Sequence, residues 1–338
     1  MASDALAKSG RFPISIASAL LALGALCLGL IPLIGSPFYL QLVSKIMIMA
    51  IFALSLDLLV GYTGLVSLGH SAYFGLAGYV VALLSPQYEA ASLLTTLPLA
   101  MLASGVLALA IGLLVLRTSG IYFIMVTLAF AQMLYFLFHD TKLGGGSDGL
   151  YLYVKPELRL GGVRLLNLDD PAQFYYFIFG LMLAVYFILR MVLRSPFGHA
   201  LLGIKANEHR MRSLGFHVFW YKLGAFVLAG MLAGLSGYLA ACQFGFVSPE
   251  ILSWHHSGNV LMMLLLGGIG SLYGAVIGAF SFVLLQEFFS SDILFGSWAR
   301  HWQLAMGSFI VLMVLLLPNG LAGLLHRFGS TAAGKDRK

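Results

Sequence analysis

The sequence predicts an all-α integral membrane protein, on three observations. The 338-residue chain is 60% hydrophobic and only 9% charged, where a soluble domain carries roughly 25% charged residues. Charge-free runs extend over Phe12–Ser44, Leu58–Tyr88, Ala90–Leu116 and Ile251–Gln286, each longer than the ~20 apolar residues that cross a bilayer. Basic residues gather at the ends of these runs, so the net charge of +6 reads as cytosolic loops and not as a nucleic-acid surface. No extramembrane stretch is long enough for a second folded domain, and residues 1–338 read as one transmembrane unit.

Taken in order, Lys8 and Arg11 precede the first apolar run in the manner of a signal peptide. The run Ile14–Ile34 is longer than a signal-peptide core and another span follows at once, so it reads as a retained helix. Further spans are expected at 40–60, 65–84, 93–116, 119–139, 173–193, 223–243 and 302–318. The loop Asp140–Ala172 holds four Lys/Arg against five acids, and Arg190–Lys222 holds six against one, Glu208. That asymmetry assigns 190–222 to the cytosol and 140–172 to the outside. Counting back puts the N-terminus in the cytosol, and Arg327, Lys335, Arg337 and Lys338 argue the same for the C-terminus.

The apolar run 257–286 must then turn back, or the basic tail would end outside. As one straight helix it would be ~45 Å long, against a hydrocarbon core of ~30 Å. Its middle, Gly267-Gly268-Ile269-Gly270-Ser271-Leu272-Tyr273-Gly274, is a natural break. The expectation is two half-depth or steeply tilted segments returning to the outside, where Glu287 and Asp292 sit. Gly270, Gly274 and Gly278 form two overlapping GxxxG steps suited to close packing. A role in lining a passage is the sharper alternative.

One stretch, Asp57–Val80, combines apolar flanks with Gly61, Gly64, Gly69, Gly75 and Gly78 and with Thr63, Ser67, His70 and Ser71. In hydrocarbon, backbone leaves the helix only where protein or a water-filled cavity surrounds it. A segment both glycine-broken and polar therefore points to a substrate path, against the plainer reading of a packing helix with small residues on one face. Asp57 lies one turn from the cytosolic end of its span, where snorkelling or capping accounts for it. His70 reads as a satisfied structural histidine or as a proton-carrying or substrate-contacting one. His139, His255 and His256 flank outside loops and are expected to face water. Cys27 and Cys242 sit in apolar runs as small buried hydrophobes, with no disulfide or metal framework.

Two motifs fail on inspection. Gly234-Leu235-Ser236-Gly237 matches the nucleophile of intramembrane serine proteases, yet no later span supplies a histidine base at the same depth. Gly329–Asp336 nearly fits the phosphate loop GxxxxGK[ST], but Asp336 replaces the metal-binding hydroxyl and no strand or helix flanks it. The cytosolic segment says more. Arg194-Ser195-Pro196-Phe197-Gly198 breaks the preceding span, and His199–Leu214 reads as one helix with Leu201, Ile204, Met211 and Leu214 on a single face. Asn207 and Glu208 fill other positions and Gly215 suits a C-cap. Such a helix docks into a partner's groove or lies on lipid.

At this point the chain resembles a known family. The segment looks like the coupling loop of ABC-importer permeases. Gly61-Tyr62-Thr63-Gly64-Leu65-Val66-Ser67-Leu68-Gly69-His70 resembles the signature of branched-chain amino-acid permeases of the LivM type. Gly144–Leu150, Ser195–Gly198 through Asn207-Glu208 to Leu214-Gly215, and Gly245–Glu250 followed by Leu266–Gly274 fit the same family, in its order, over residues ~40 to 320. Asp57 and His199 depart from the residues expected there.

The resemblance implies a polytopic helical permease with about eight full spans plus a broken or re-entrant segment, both termini cytosolic, in a bacterial inner membrane. It implies the import of aliphatic amino acids, with urea or a short amide as the alternative cargo. The partners it implies are a second homologous permease, two ATPase subunits that hold the ATP and Mg, and a soluble amino-acid-binding protein outside. It implies no cofactor in this chain and no nucleic-acid partner. Gly61, Gly64, Ser67, Gly69, His70, Ser71, Gly267, Gly268, Gly270 and Ser271 would line or frame the passage. Gly198, Leu201, Ile204, Asn207, Glu208, Met211, Leu214 and Gly215 would couple to the ATPase, within a coupling loop 194–222. A tight substrate site is not expected, because the binding protein would supply selectivity. A stand-alone secondary transporter would need midplane carboxylates, for which only Asp57 is available.

Overall fold

A computed structural model describes residues 24, 27–32, 36–86, 88–160, 163–317 and 319–323. Most of the expected span 14–34, the residues Lys8 and Arg11, and the basic tail with its phosphate-loop resemblance lie outside the described residues. In chain order the helices are α1 (Pro37–Val60), α2 (His70–Leu84), α3 (Leu93–Val115), α4 (Ile121–Asp140), α5 (Pro171–Arg194), α6 (Pro196–Ala206), α7 (Glu208–Ser213), α8 (Val218–Phe244), α9 (Trp254–Gly267), α10 (Leu272–Phe289), α11 (Asp292–Phe295) and α12 (Trp302–Leu316). Proline opens α1, α5 and α6, where its missing N–H costs no helix bond.

The molecule is a multi-pass membrane protein. Among the described residues, 7 helices are long and apolar enough to cross a membrane: α1, α3, α4, α5, α8, α10, and α12 with its continuation to Gly323. α1 and α8 fill the middle of the bundle and are buried along most of their length. Close approach there depends on small residues in α8. A Cβ on Gly230 would meet Ala108, one on Gly234 would meet Ser104, and one on Gly237 would run into the Phe74 carbonyl. The serine-protease look-alike is thus a packing seam, and Ser236 donates to the carbonyl of Ala233 in its own helix (2.7 Å). The outer helices expose apolar side chains, among them Leu102 and Val106 on α3, Met133 on α4, Met191 on α5 and Leu315 on α12. Such surfaces suit lipid or another membrane subunit.

The bundle has two chemically different ends. At one, Arg117, Arg190, Arg194, Lys205, Arg210, Arg212 and Lys222 gather in and beside the turns between helices; this is the basic end. At the other, the 140–172 loop folds on itself with short strands. β1 (Leu150–Tyr151) pairs antiparallel with β4 (Phe246–Val247), and β2 (Glu157–Leu160) pairs with β3 (Val163–Asn167). Backbone bonds from Glu157 to Ala91 and from Leu152 to Gly245 (both 2.9 Å) tie this loop to the neighbouring turns. Strands this short carry no readable alternation, so none was expected.

Several expectations change. The span 65–84 becomes helical only at His70. Residues 257–286 do break and turn back: α9 and α10 run antiparallel, with Gly278 against the carbonyl of Met263 and Gly267 against that of Gly274. α9, at 14 residues, is ~21 Å long, whereas α10, at 18, reaches ~27 Å. Half depth therefore describes α9 alone. The single helix expected over 199–214 is two, because Asn207 is extended (φ −160, ψ 101) and its side chain caps α7 by accepting from the N–H of Arg210. A residue that makes a better cap than helix interior ends one helix and starts the next. Cys242 is buried, but Cys27 is exposed.

Candidate functional site

The site grows out of a helix that begins in the wrong place for hydrocarbon. α2 starts inside the bundle, and the first N–H groups of a helix have no partner within it. Here one of them, and two N–H groups of the chain leading into the helix, are met by hydroxyls. Thr127 Oγ1 accepts from Leu68 N–H (3.3 Å), Ser67 Oγ from Gly69 N–H (3.2 Å) and Ser257 Oγ from Ser71 N–H (2.8 Å). Ser71 Oγ donates onward to the carbonyl of Leu252 (3.0 Å). Ser67, His70 and Ser71 are all fully buried. Ser67 and Ser71 hold the helix terminus, and none of the three opens onto a surface. His70 stacks near Phe52 (6.4 Å between ring centroids) and edge-on to Tyr73 (5.5 Å), with no hydrogen-bond partner on either ring nitrogen among the described residues. Its burial is that of a core side chain, but its ring nitrogens are not satisfied as the structural reading expected.

The two glycine-broken stretches meet. Gly270, with φ +83, donates its N–H to Asp57 Oδ1 (2.8 Å). A Cβ on Gly61 would lie 2.7 Å from Gly270 Cα. Asp57 is fully buried, so snorkelling is wrong; its carboxylate ties down the turn between α9 and α10. Ser271 Oγ donates to the Gly268 carbonyl (3.0 Å). Gly268 packs where a Cβ would come within 2.6 Å of the Asn319 carbonyl, just beyond α12. Lys205 reaches over from α6 and donates to the Gly61 carbonyl (2.5 Å). Its stem runs 3.3 Å from where a Cβ on Gly64 would sit.

The segment 194–222 follows the sequence only in part. Leu201 and Ile204, expected on an outward apolar face, are buried against the chain itself at 0% and 3% exposure. Helical spacing identifies a face, but not the neighbour that covers it. Gly198 sits against the Leu193 backbone, and Met211 folds onto Gly203 of α6. Leu202, Leu214, Phe216 and Trp220 are large apolar side chains left exposed, and Gly215 turns the chain with φ +86. Glu208 is already engaged, accepting from Arg212 (2.5 Å) and Lys222 (2.6 Å). Partial burial pushes its carboxyl upward, but the two cations outweigh that and hold it below the usual carboxylate range.

A cleft of about 620 Å³ opens between α4, the 248–253 turn and the start of α9, lined by Gln132, Tyr135, Glu250, Ser253, His256 and Asn259 among others. Sequence reasoning missed it. His256 was expected in water, yet its ring packs on Phe52 (5.6 Å) and Phe74 (4.8 Å) with Nε2 occluded and unpartnered. Gln132, an amide midway along an otherwise apolar span, was the one available signal. His139 and His255 are at least partly exposed, as expected.

Comparison with known proteins follows this geometry. Residues 38–317 match the family described as branched-chain amino acid transport system / permease component. The high-affinity branched-chain amino acid transport system permease protein LivM of Salmonella typhimurium is 33% identical over 294 residues, 81% of this chain and 68% of the relative. Its Escherichia coli counterpart is 32% identical with the same coverage. The autoinducer 2 import system permease protein LsrC of Photorhabdus laumondii is more distant, at 27% over 52% of each chain. No solved structure gives a significant match. With the match spanning nearly all the described helices, the chain belongs to the branched-chain amino acid transport permease family.

Proposed function

We propose that this chain is one of two different permease subunits of an ATP-driven importer for branched-chain amino acids in the bacterial inner membrane. Two separate ATPase subunits would bind the basic end and hold the nucleotide and Mg, and this chain would carry no nucleotide site. A soluble amino-acid-binding protein would dock on the loop end. The observation that carries the reading is the strap from α6 to the glycine joint. Lys205 donates to Gly61, Gly61 packs on Gly270, and Gly270 is bound to Asp57. A push on α6 and α7 is thereby delivered to both helix breaks at once. Exposed Leu202, Leu214 and Phe216 replace Leu201 and Ile204 as the apolar contacts for the ATPase. Glu208 supports α7 from within and makes no contact with the partner. Gly61, Gly64, Gly69, Gly267, Gly268 and Gly270 frame the passage, while Ser67, Ser71 and Ser271 hold its backbone in place and His70 packs behind it.

The basic end is cytosolic on this reading, as is expected when Lys and Arg are concentrated at one face. In a background lacking Cys27 and Cys242, Ser147→Cys reacts with an impermeant thiol reagent from outside and Ser213→Cys only from inside. The reverse labelling refutes the orientation. Function itself is tested by purifying the chain with its genetically linked neighbours. ATPase subunits co-purify, and proteoliposomes take up leucine only with ATP inside and the loaded binding protein outside. Uptake without an ATPase would instead make this a secondary transporter.

A further inference from the structure

The cleft between α4 and α9 carries an inference that rests on the transport reading and goes beyond it. We propose that it is a transit site for an aliphatic amino acid, holding both the zwitterionic head and the side chain on the way through. Its depth is the first argument. His256, on its wall, packs on Phe52, well inside the 24-residue span of α1. Gln132 lies in the middle of α4, a helix otherwise of lipid-facing character. Polar groups at that depth cannot face hydrocarbon; they face protein or a water-filled passage.

The second argument is the unmet hydrogen bonding at its wall. Ser67, Ser71 and Ser257 are consumed in capping α2. His256 belongs to the cleft wall, and its occluded Nε2 has no hydrogen-bond partner among the described residues, a state it shares with the ring nitrogens of fully buried His70. An orphaned nitrogen of this kind is costly unless something binds it.

The third is complementarity. The carboxylate of Glu250 suits an ammonium group, and the Gln132 and Asn259 amides can donate to a carboxylate. Tyr135, Ile251 and Trp254 supply apolar wall for an aliphatic side chain. The volume of about 620 Å³ falls within the ~300–1,000 Å³ of small-molecule sites. The cleft is open along one side, which suits a contact weak enough to release its cargo.

The test uses the whole transporter in proteoliposomes, with the loaded binding protein and measured leucine uptake per ATP hydrolysed. Glu250→Gln, Gln132→Leu and Asn259→Leu alter side chains with no hydrogen bond among the described residues, and His256→Leu adds the orphaned nitrogen. The site requires that the Gln132→Leu/Asn259→Leu pair and Glu250→Gln each lower uptake per ATP about tenfold. Glu250→Asp should restore most of it. ATPase stimulation by the binding protein and that protein's affinity for leucine stay unchanged. Wild-type uptake per ATP in the pair and in Glu250→Gln overturns the site while leaving the transport reading intact. If His256→Leu fails to assemble, the other three variants decide. No leucine uptake by the unmodified complex removes the transport reading, and this site with it.

Discussion

The two glycine-broken stretches solve different problems. At 61–69 the chain must start a helix within the bundle, and the difficulty is hydrogen bonding. Hydroxyls of Ser67, Thr127 and Ser257, the last two from other helices, meet the N–H groups leading into α2 and that of Ser71 within it. At 267–271 the chain must reverse between two antiparallel helices, and the difficulty is volume. Gly267, Gly274 and Gly278 let backbone touch backbone, with hydroxyl help only from Ser271. Polar residues beside a break thus mark a helix terminus, whereas glycine repeated at every fourth position marks an approach. Both patterns look like a substrate path in the sequence.

Substitution should separate the two. The largest effect is expected at the hairpin: Gly267→Leu drives a side chain into the Gly274 carbonyl, which no rotamer can relieve. Overpacking costs ~1–3 kcal/mol where side chains yield and more where only backbone is available. Size-exclusion chromatography should show loss of the monodisperse species. A stable, well-folded Gly267→Leu protein would mean that α9 and α10 are farther apart than described.

The α2 terminus should be more forgiving. Ser257→Ala leaves the Ser71 N–H without an acceptor inside the bundle, a loss of ~1–3 kcal/mol that lowers the melting temperature without preventing assembly. Ser257→Thr, which keeps the hydroxyl, should recover part of it. An unchanged melting temperature for Ser257→Ala would show that the terminus is satisfied by water instead. Smaller again is Gly64→Ala. Gly64 has φ +74, and a non-glycine residue in that region costs ~1–2 kcal/mol. The side chain nearest to it, Lys205, is flexible at 3.3 Å. Circular dichroism melts of both variants should rank Ser257→Ala at or below Gly64→Ala.

These comparisons also show what the sequence can and cannot carry. Length and charge located the spans, because the bilayer imposes a composition on anything that crosses it. The Gly267–Gly274 break was legible from helix length and parity. The start of α2 at His70, and not at residue 65, was not legible, because the hydroxyls that permit it come from Thr127 and Ser257, 59 and 186 residues away from their partners. The cleft was hidden for the same reason. Its lining comes from α4 and from the 248–259 region, and apart from Gln132 midway along α4 its polar residues read in isolation as a loop or a helix end. The coupling segment was half legible: its breakers and charges located it, but Leu201 and Ile204 turned inward.

The smallest expected effect concerns Glu208, and its direction follows from its neighbours. Lys222 and Arg212 hold its carboxyl below the ordinary value of 4.5 despite partial burial. A depressed folded-state value means that folding favours the ionised form. The resulting stability is fully present above about pH 4.5 and is lost as pH falls through the folded value. The pair with Arg212 is partly exposed, 62% on the arginine and 33% on the glutamate, so solvent screening limits the contribution to less than ~1 kcal/mol. Lys222 is more sheltered, at 13%, and it anchors α7 to α8. Glu208→Gln should therefore leave α6 and α8 in place and loosen α7 alone. Limited trypsin digestion at Arg210 and Arg212 at pH 7 should be faster in the variant by a few-fold. Melts of the intact protein should show the gap between wild type and variant closing as pH is lowered below 4.5. A gap that persists unchanged at lower pH would mean that Glu208 acts through its shape and not its charge.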